Sequence, residues 1–308
     1  MRRSTLTALI AVPVLLAASA CSGGSAPQAK PKAATVAAIS VSGRMGSAPH
    51  VSFKAPIEFD QTMSRTVVKG PGTGPAVTAA SRVTVRYLGL NASNDTQIDS
   101  NFTQHAKPAT FLLCQVIPGI TAGLLGAHAG DRRVIAIPSK QAYDPTGNGT
   151  TVRRGDSVVF VIDVLKVVNP RKAPSSAPQV TYNGHGCPAG FTLPAGLAPH
   201  PKTVHTYTLL PGVGAKVKAL DTLTVEYVGG LYSTGKVFDE SWTKQPFTFQ
   251  MNAHQVIAGW DIGLLGQRAG ARVEVVIPAA QGYGKKGSPP KIAPNSDLVF
   301  VIDIMSVS

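Results

Sequence analysis

The stretch VIPGITAGLLG at 116–126 returns as VIAGWDIGLLG at 256–266, with seven of eleven positions identical and an offset of 140 residues. The same offset links VTVRYLG (83–89) to LTVEYVG (223–229), and VVFVIDVL (158–165) to LVFVIDIM (298–305). A period that long marks a duplicated domain, because solenoid repeats span only a few tens of residues. A chain of 308 residues has room for two domains, each able to bury its own core. The repeat places them at 49–168 and 189–308, joined by a linker over 169–188 that contains the Pro/Ser tract NPRKAPSSAP.

The first 21 residues read as an export signal and are set aside from the fold. Arg2 and Arg3 precede the apolar run LTALIAVPVLL, and small residues then lead to Cys21. That pattern resembles a bacterial lipoprotein signal, in which Cys21 is lipidated and becomes the mature N-terminus. The apolar run of 11 residues falls well short of the ~20 needed to span a bilayer. Residues 22–48, rich in Ser, Ala, Pro and Lys, suit a flexible tether. The expected location is therefore extracytoplasmic, on a lipid anchor in the cell membrane.

Within each copy the pattern is mostly strand. Leu223, Val225 and Tyr227 alternate with polar or small residues, as in a half-buried strand. Ile257, Trp260 and Leu264 fall on one face of a short helix. A helix of two or three turns is not stable alone, so it must lie in the concavity of a sheet, with Trp260 turned inward. Each domain is thus predicted to be α+β, a curved antiparallel sheet wrapped on one short helix.

Composition narrows the chemistry. The net charge of +13 drops to about +11 once Arg2 and Arg3 are cleaved. The basic residues are scattered, without aromatic interleaving, so nucleic acid is not expected as a partner; anionic lipid or envelope polymer suits the charge better. With Cys21 lipidated, Cys114 and Cys187 are left in an oxidising compartment. They are expected to bond, closing a loop worth up to roughly 4 kcal/mol; two unpaired thiols are the alternative. No serine nucleophile elbow, HExxH or CxxC occurs, the histidines are dispersed, and GPGTGP (70–75) lacks the Lys-Ser/Thr of a phosphate loop. No metal or cofactor is expected.

The motifs VTVRYLG or LTVEYVG, VFDESW, PFTF, VIAGWDIGLLG, VVIPAAQGYG and LVFVIDI, in this order, resemble the FKBP-type peptidyl-prolyl cis–trans isomerases. The resemblance spans 189–308 and, more loosely, 49–168. It implies a pocket of Tyr227, Phe238, Asp239, Phe247, Val256, Ile257, Trp260, Tyr283, Ile292 and Phe300. Trp260 would be its floor, Tyr227, Phe247 and Phe300 its walls, and the Ile257 N–H and Tyr283 hydroxyl its donors to the ligand. It also implies proline-containing polypeptide clients and macrolide inhibitors as ligands. Two departures lie at the rim: Lys244 stands near a place often held by arginine, and Ser288 where histidine is common.

In the first copy the matching positions are Tyr87, Ile98, Asp99, Ala109, Val116, Ile117, Ile120, Tyr143, Val152 and Phe160. Phe238, Phe247 and Trp260 have become Ile98, Ala109 and Ile120, a loss of about 2–4 kcal/mol of apolar contact to a bound proline. The first domain is therefore expected to keep the fold with weak activity or none. The rival to an isomerase is a binding module that docks peptides or envelope proteins without turnover.

Overall fold

A computed structural model describes residues 33–103 and 105–308. The export segment 1–21, with the lipidation site expected at Cys21, lies outside the described residues. Among them, no helix is long and apolar enough to cross a membrane. The chain divides into two compact units between Val168 and Asn169.

The first unit begins with a hairpin of β1 (Ser40–Ser42) and β2 (His50–Ser52). Its main elements are β3 (Met63–Val68), β4 (Arg82–Asn91), β5 (Gln97–Ser100), β6 (Ala109–Leu112), α1 (Pro118–Leu124), β7 (Arg132–Ile137) and β8 (Val158–Val168). The second begins with a hairpin of β9 (Gln179–Tyr182) and β10 (Pro188–Thr192). There follow β11 (His205–Leu210), β12 (Thr222–Leu231), β13 (Val237–Glu240), β14 (Phe247–Gln250), α2 (Ala258–Leu264), β15 (Arg272–Ile277) and β16 (Leu298–Val307). Each unit holds a six-stranded sheet: β3-β7-β8-β4-β5 with β6 on β4, and β11-β15-β16-β12-β13 with β14 on β12. All these pairings are antiparallel, and each sheet packs on one short helix, as the repeat predicts.

Period-2 alternation sorts the strands into two faces. In the second unit, Leu223 and Val225 of β12 and Phe300, Ile302 and Ile304 of β16 join Trp260 and Leu264 of α2 in one core. Each helix lies unusually close to its sheet. A Cβ on Gly259 would fall 2.4 Å from Ile277 Cγ2, and one on Gly263 2.5 Å from Val275 Cγ1. Gly119 and Gly123 meet Ile137 and Ile135 in the same way. The i, i+4 glycines of the repeated stretch are thus a docking face, and alanine at any of them would overpack the interface by about 1–3 kcal/mol.

The outer faces are where the structure departs from the sequence reading. Residues 33–48, expected to belong to a flexible tether, are folded: Ile39 is fully buried and packs with Val134, Val159 and Val161. The loop between β1 and β2 closes over a buried ion pair. Arg132 donates to Asp163 at 2.5 and 2.8 Å, and to the carbonyls of Gly43, Arg44 and Ser47 at 3.1, 2.9 and 2.7 Å. The stretch 169–188, expected to be a linker, is folded too. Ala173 and Ala177 are buried against Val228 and Val301, and Tyr182 faces the Arg272 guanidinium at 5.4 Å. Arg272 in turn binds Asp303 at 2.6 Å, the counterpart of the Arg132–Asp163 pair. A boundary at residue 189 would cut through β10; the second unit starts at Asn169. The expected Cys114–Cys187 bond is not formed. Cys114 belongs to a 3-10 turn of the first unit, whereas Cys187 is buried beside the β9–β10 hairpin of the second.

Glu274 of β15 is fully buried on the covered outer face, opposite Tyr207 of β11, and neither carboxylate oxygen has a hydrogen-bond partner. Burial alone pushes its carboxyl up to about 8. The fold therefore favours the protonated acid, and stability falls as pH rises from the unfolded value toward 8, by up to roughly 1 kcal/mol per pH unit. Both tryptophans lie in the second unit, so their fluorescence follows its unfolding. Its thermal midpoint should drop between pH 5 and pH 8.5, and Glu274→Gln should flatten that drop.

Candidate active site

The strand register decides which side chains converge. Gly229 of β12 lies opposite Asp239 of β13 on one side and Phe300 of β16 on the other. With no side chain of its own it leaves room for two rings: a Cβ there would fall 2.5 Å from Phe300 and 2.9 Å from Phe238. Those rings meet edge-on, with centroids 5.6 Å apart. Trp260 projects from α2 beneath them, 4% exposed. Its centroid lies 5.2 Å from Tyr227, 5.3 Å from Phe300, 5.5 Å from Phe249 and 6.2 Å from Phe247, edge-to-face in each case.

These rings frame a cavity of about 310 Å³ lined by Tyr227, Phe238, Asp239, Phe247, His254, Gln255, Val256, Ile257, Trp260, Tyr283 and Phe300. Nine of the ten residues expected at the site therefore meet around one hollow. Ile292, the tenth, is buried in the core with Trp260 and Phe300 rather than lining the cavity. It pairs with Ser288 through reciprocal backbone hydrogen bonds of 2.8 and 3.0 Å, which close the loop after Tyr283. Three residues were missed. Phe249 follows Phe247 by two positions, so strand alternation puts both on one face. His254 and Gln255 directly precede Val256, but carry no pattern of their own.

The polar groups are few. The Tyr227 hydroxyl donates to Asp239 Oδ2 at 2.5 Å, and Lys244 Nζ donates to Oδ1 at 2.7 Å. Burial pushes the Asp239 carboxyl up, but the bonds from Lys244 and Tyr227 outweigh it and hold the group below the usual carboxylate range. Burial and the same carboxylate push the Tyr227 and Tyr283 hydroxyls up. At neutral pH the hollow thus presents aromatic surface, two un-ionised phenols and one carboxylate matched by a lysine, with His254 and Gln255 also in its lining. Lys244 fills the role expected of an arginine, from a loop with seven residues between Asp239 and Phe247 against nine between Asp99 and Ala109.

The corresponding place in the first unit is lined by smaller side chains, and its two tyrosines are more deeply buried. Ala109 pairs with Val85 as Phe247 pairs with Val225, which fixes the correspondence despite the unequal loops. The Tyr87 hydroxyl still donates to Asp99, at 2.6 Å. Yet Tyr143 is only 9% exposed, against 39% for Tyr283, and Tyr87, Ile117, Ile120 and Phe160 are all buried in the core. Burial, with Asp99 nearby, pushes the Tyr143 hydroxyl up to about 12. With an indole and two phenyl rings replaced by Ile120, Ile98 and Ala109, the phenol of Tyr143 is largely withdrawn from the surface.

An antiparallel sheet on one helix, with a Trp-floored aromatic hollow, defines a class of proline-binding rotamase domains. The family model for FKBP-type peptidyl-prolyl cis-trans isomerase matches residues 74–165 and 214–305, and the chain belongs to that family, in two tandem copies. It is 46% identical over 98 residues to an FK506-binding protein of Streptomyces anulatus, covering 31% of this chain and 79% of that one. It is 42% identical over 96 residues to the 46 kDa FK506-binding nuclear protein of Spodoptera frugiperda, of which the match spans only 23%. Among solved structures, a peptidyl-prolyl cis-trans isomerase from Pseudomonas syringae pv. tomato aligns at 37% identity and a TM-score of 0.32, over 36% of this chain and 80% of that one.

Replacing Lys244 by methionine removes the cation that holds Asp239 ionised. The acid limb of the pH profile for kcat/KM should then move to higher pH; an unmoved limb would show that the pair does not set the charge in the hollow.

Proposed function

We propose that the second unit is a peptidyl-prolyl cis–trans isomerase for exported polypeptides, carried on a chain anchored through lipid at Cys21, and that the first unit is a folded companion with little turnover. What supports this reading is the open, Trp260-floored hollow of the second unit, against Ile98, Ala109 and Ile120 at the matching positions of the first. The export address rests on the pattern of Arg2, Arg3, the apolar run and Cys21.

The chemistry needs no nucleophile. Rotation about an X–Pro bond is opposed by ~18–20 kcal/mol of lost amide resonance. The planar imide is more polarised than the twisted one, so a dry aromatic cup disfavours the ground state more than the transition state. Only such differential stabilisation accelerates a reaction. A lowering of roughly 5–8 kcal/mol is the scale required. Trp260, Phe238, Phe247 and Phe300 supply the apolar surface. The Ile257 N–H and the Tyr283 hydroxyl hold substrate carbonyls, and the Asp239–Lys244–Tyr227 set keeps the one charge in the cup compensated. Clients are proline-containing polypeptides. Macrolides of the FK506 type suit the same cup, since relatives named for FK506 are 42–46% identical to this chain over the matched residues. The alternative is a docking role without turnover, which the loss of three pocket aromatics in the first unit favours there.

In the full chain, Trp260→Ala should lower kcat/KM for an X–Pro peptide at least about tenfold, an estimate from lost aromatic contact. Ile120→Ala should leave it unchanged. Equal losses from both would assign turnover to both units.

A further inference from the structure

On its outer side the second sheet carries a contact that the first lacks. Where β4 has Leu90, buried under the N-terminal cover, β12 has Gly230. The space is taken by Phe191 of β10: a Cβ on Gly230 would lie 2.8 Å from Phe191 Cδ2. The backbone approaches too. The Phe191 carbonyl oxygen lies 2.9 Å from where a Cβ would sit on Gly235, at φ +70° in the β12–β13 turn. In the first unit that turn position is Asp95. On the inner side of the same step, Gly229 bears the rings of Phe238 and Phe300. Two adjacent glycines therefore separate a phenyl ring outside from two pocket rings inside. The β12–β13 register shifts between these glycines, and glycine at a bulge resists bending least.

We propose that Phe191 is a positioning residue for the isomerase cup, propping the Gly229–Gly230 step from outside and so fixing where Phe238 and Asp239 stand against Trp260. β13, which carries Phe238 and Asp239, is the last strand in its sheet order. Its outward Val237 packs with Phe191, Val180 and Trp242 in one cluster, so the hairpin braces the strand as well as the bulge. In the first unit the matching position is filled from within the strand, by Leu90. The hairpin preceding the second sheet is thereby part of the working site, although it touches no substrate. The inference rests on the isomerase reading of the cup.

The test uses the full chain with Phe191→Ala, Phe191→Leu, Gly230→Leu, Phe191→Ala/Gly230→Leu, and Trp260→Ala as a control. We would measure kcat and KM on an X–Pro peptide at a temperature where tryptophan fluorescence shows every variant folded. Phe191→Ala should lower kcat/KM about tenfold, the order expected when pocket groups shift by a fraction of an ångström, and Phe191→Leu should recover part of it. Gly230→Leu alone, forced against the phenyl ring, should also lose activity. The double variant, which installs the first unit's arrangement, should exceed both single variants and come within about threefold of wild type. Wild-type kcat/KM in Phe191→Ala, with Trp260→Ala inactive, would overturn the inference alone. So would a double variant no better than Phe191→Ala. Full activity in Trp260→Ala would instead overturn the isomerase reading, and this inference with it.

Discussion

Trp260 stands edge-on to four aromatic rings, each with its centroid 5.2–6.2 Å away, and the second unit is arranged around that contact. To bring the indole there, α2 must lie almost on the sheet, which the glycines at 259 and 263 permit. To leave a hollow above it, β12 must give up side chains where Phe238 and Phe300 cross, as Gly229 does. The rings then line a half-open space of about 310 Å³, and the Asp239 carboxylate there is met by Lys244 as its counter-ion. An apolar cup of this kind suits a reaction whose barrier is resonance rather than bond cleavage.

The two units show what happens when the contact is removed and the scaffold kept. Strand order, the i, i+4 glycines and the buried Arg–Asp pair are common to both. With Ile120 in place of the indole, the aromatic floor is gone and Tyr143 joins the core. The phenol–carboxylate bond between Tyr87 and Asp99 persists. The phenol–carboxylate bond was retained, whereas the three pocket rings were lost and the ion pair of Lys244 with Asp239 has no counterpart at Asp99 among the described ion pairs.

Much of this was legible in the sequence. The offset of 140 residues gave the duplication, alternation gave the strands, and the order of aromatic motifs gave nine residues of the hollow. What could not be read depends on contacts distant along the chain. Ile39, Ala173 and Ala177 sit in stretches whose Ser, Ala and Pro content suits a tether or linker, and they are buried only because the sheet's outer face offers apolar partners. The pairing expected of Cys114 and Cys187 followed from counting thiols, which says nothing about the separate units that hold them. Nothing in the alternation of RVEVVI shows that the face carrying Glu274 is covered. Phe249 was within reach, since Phe247 was already placed and the strand period is two.

The most direct test of the account is an NMR titration of the full chain with an X–Pro peptide, following the Trp260 indole N–H, the Tyr143 ring and the peptide's cis and trans prolyl signals. The Trp260 resonance should shift and saturate while the two prolyl signals broaden by exchange, and Tyr143 should stay in place. A shift at Tyr143 with Trp260 unmoved, or prolyl signals that remain sharp at saturation, would contradict it.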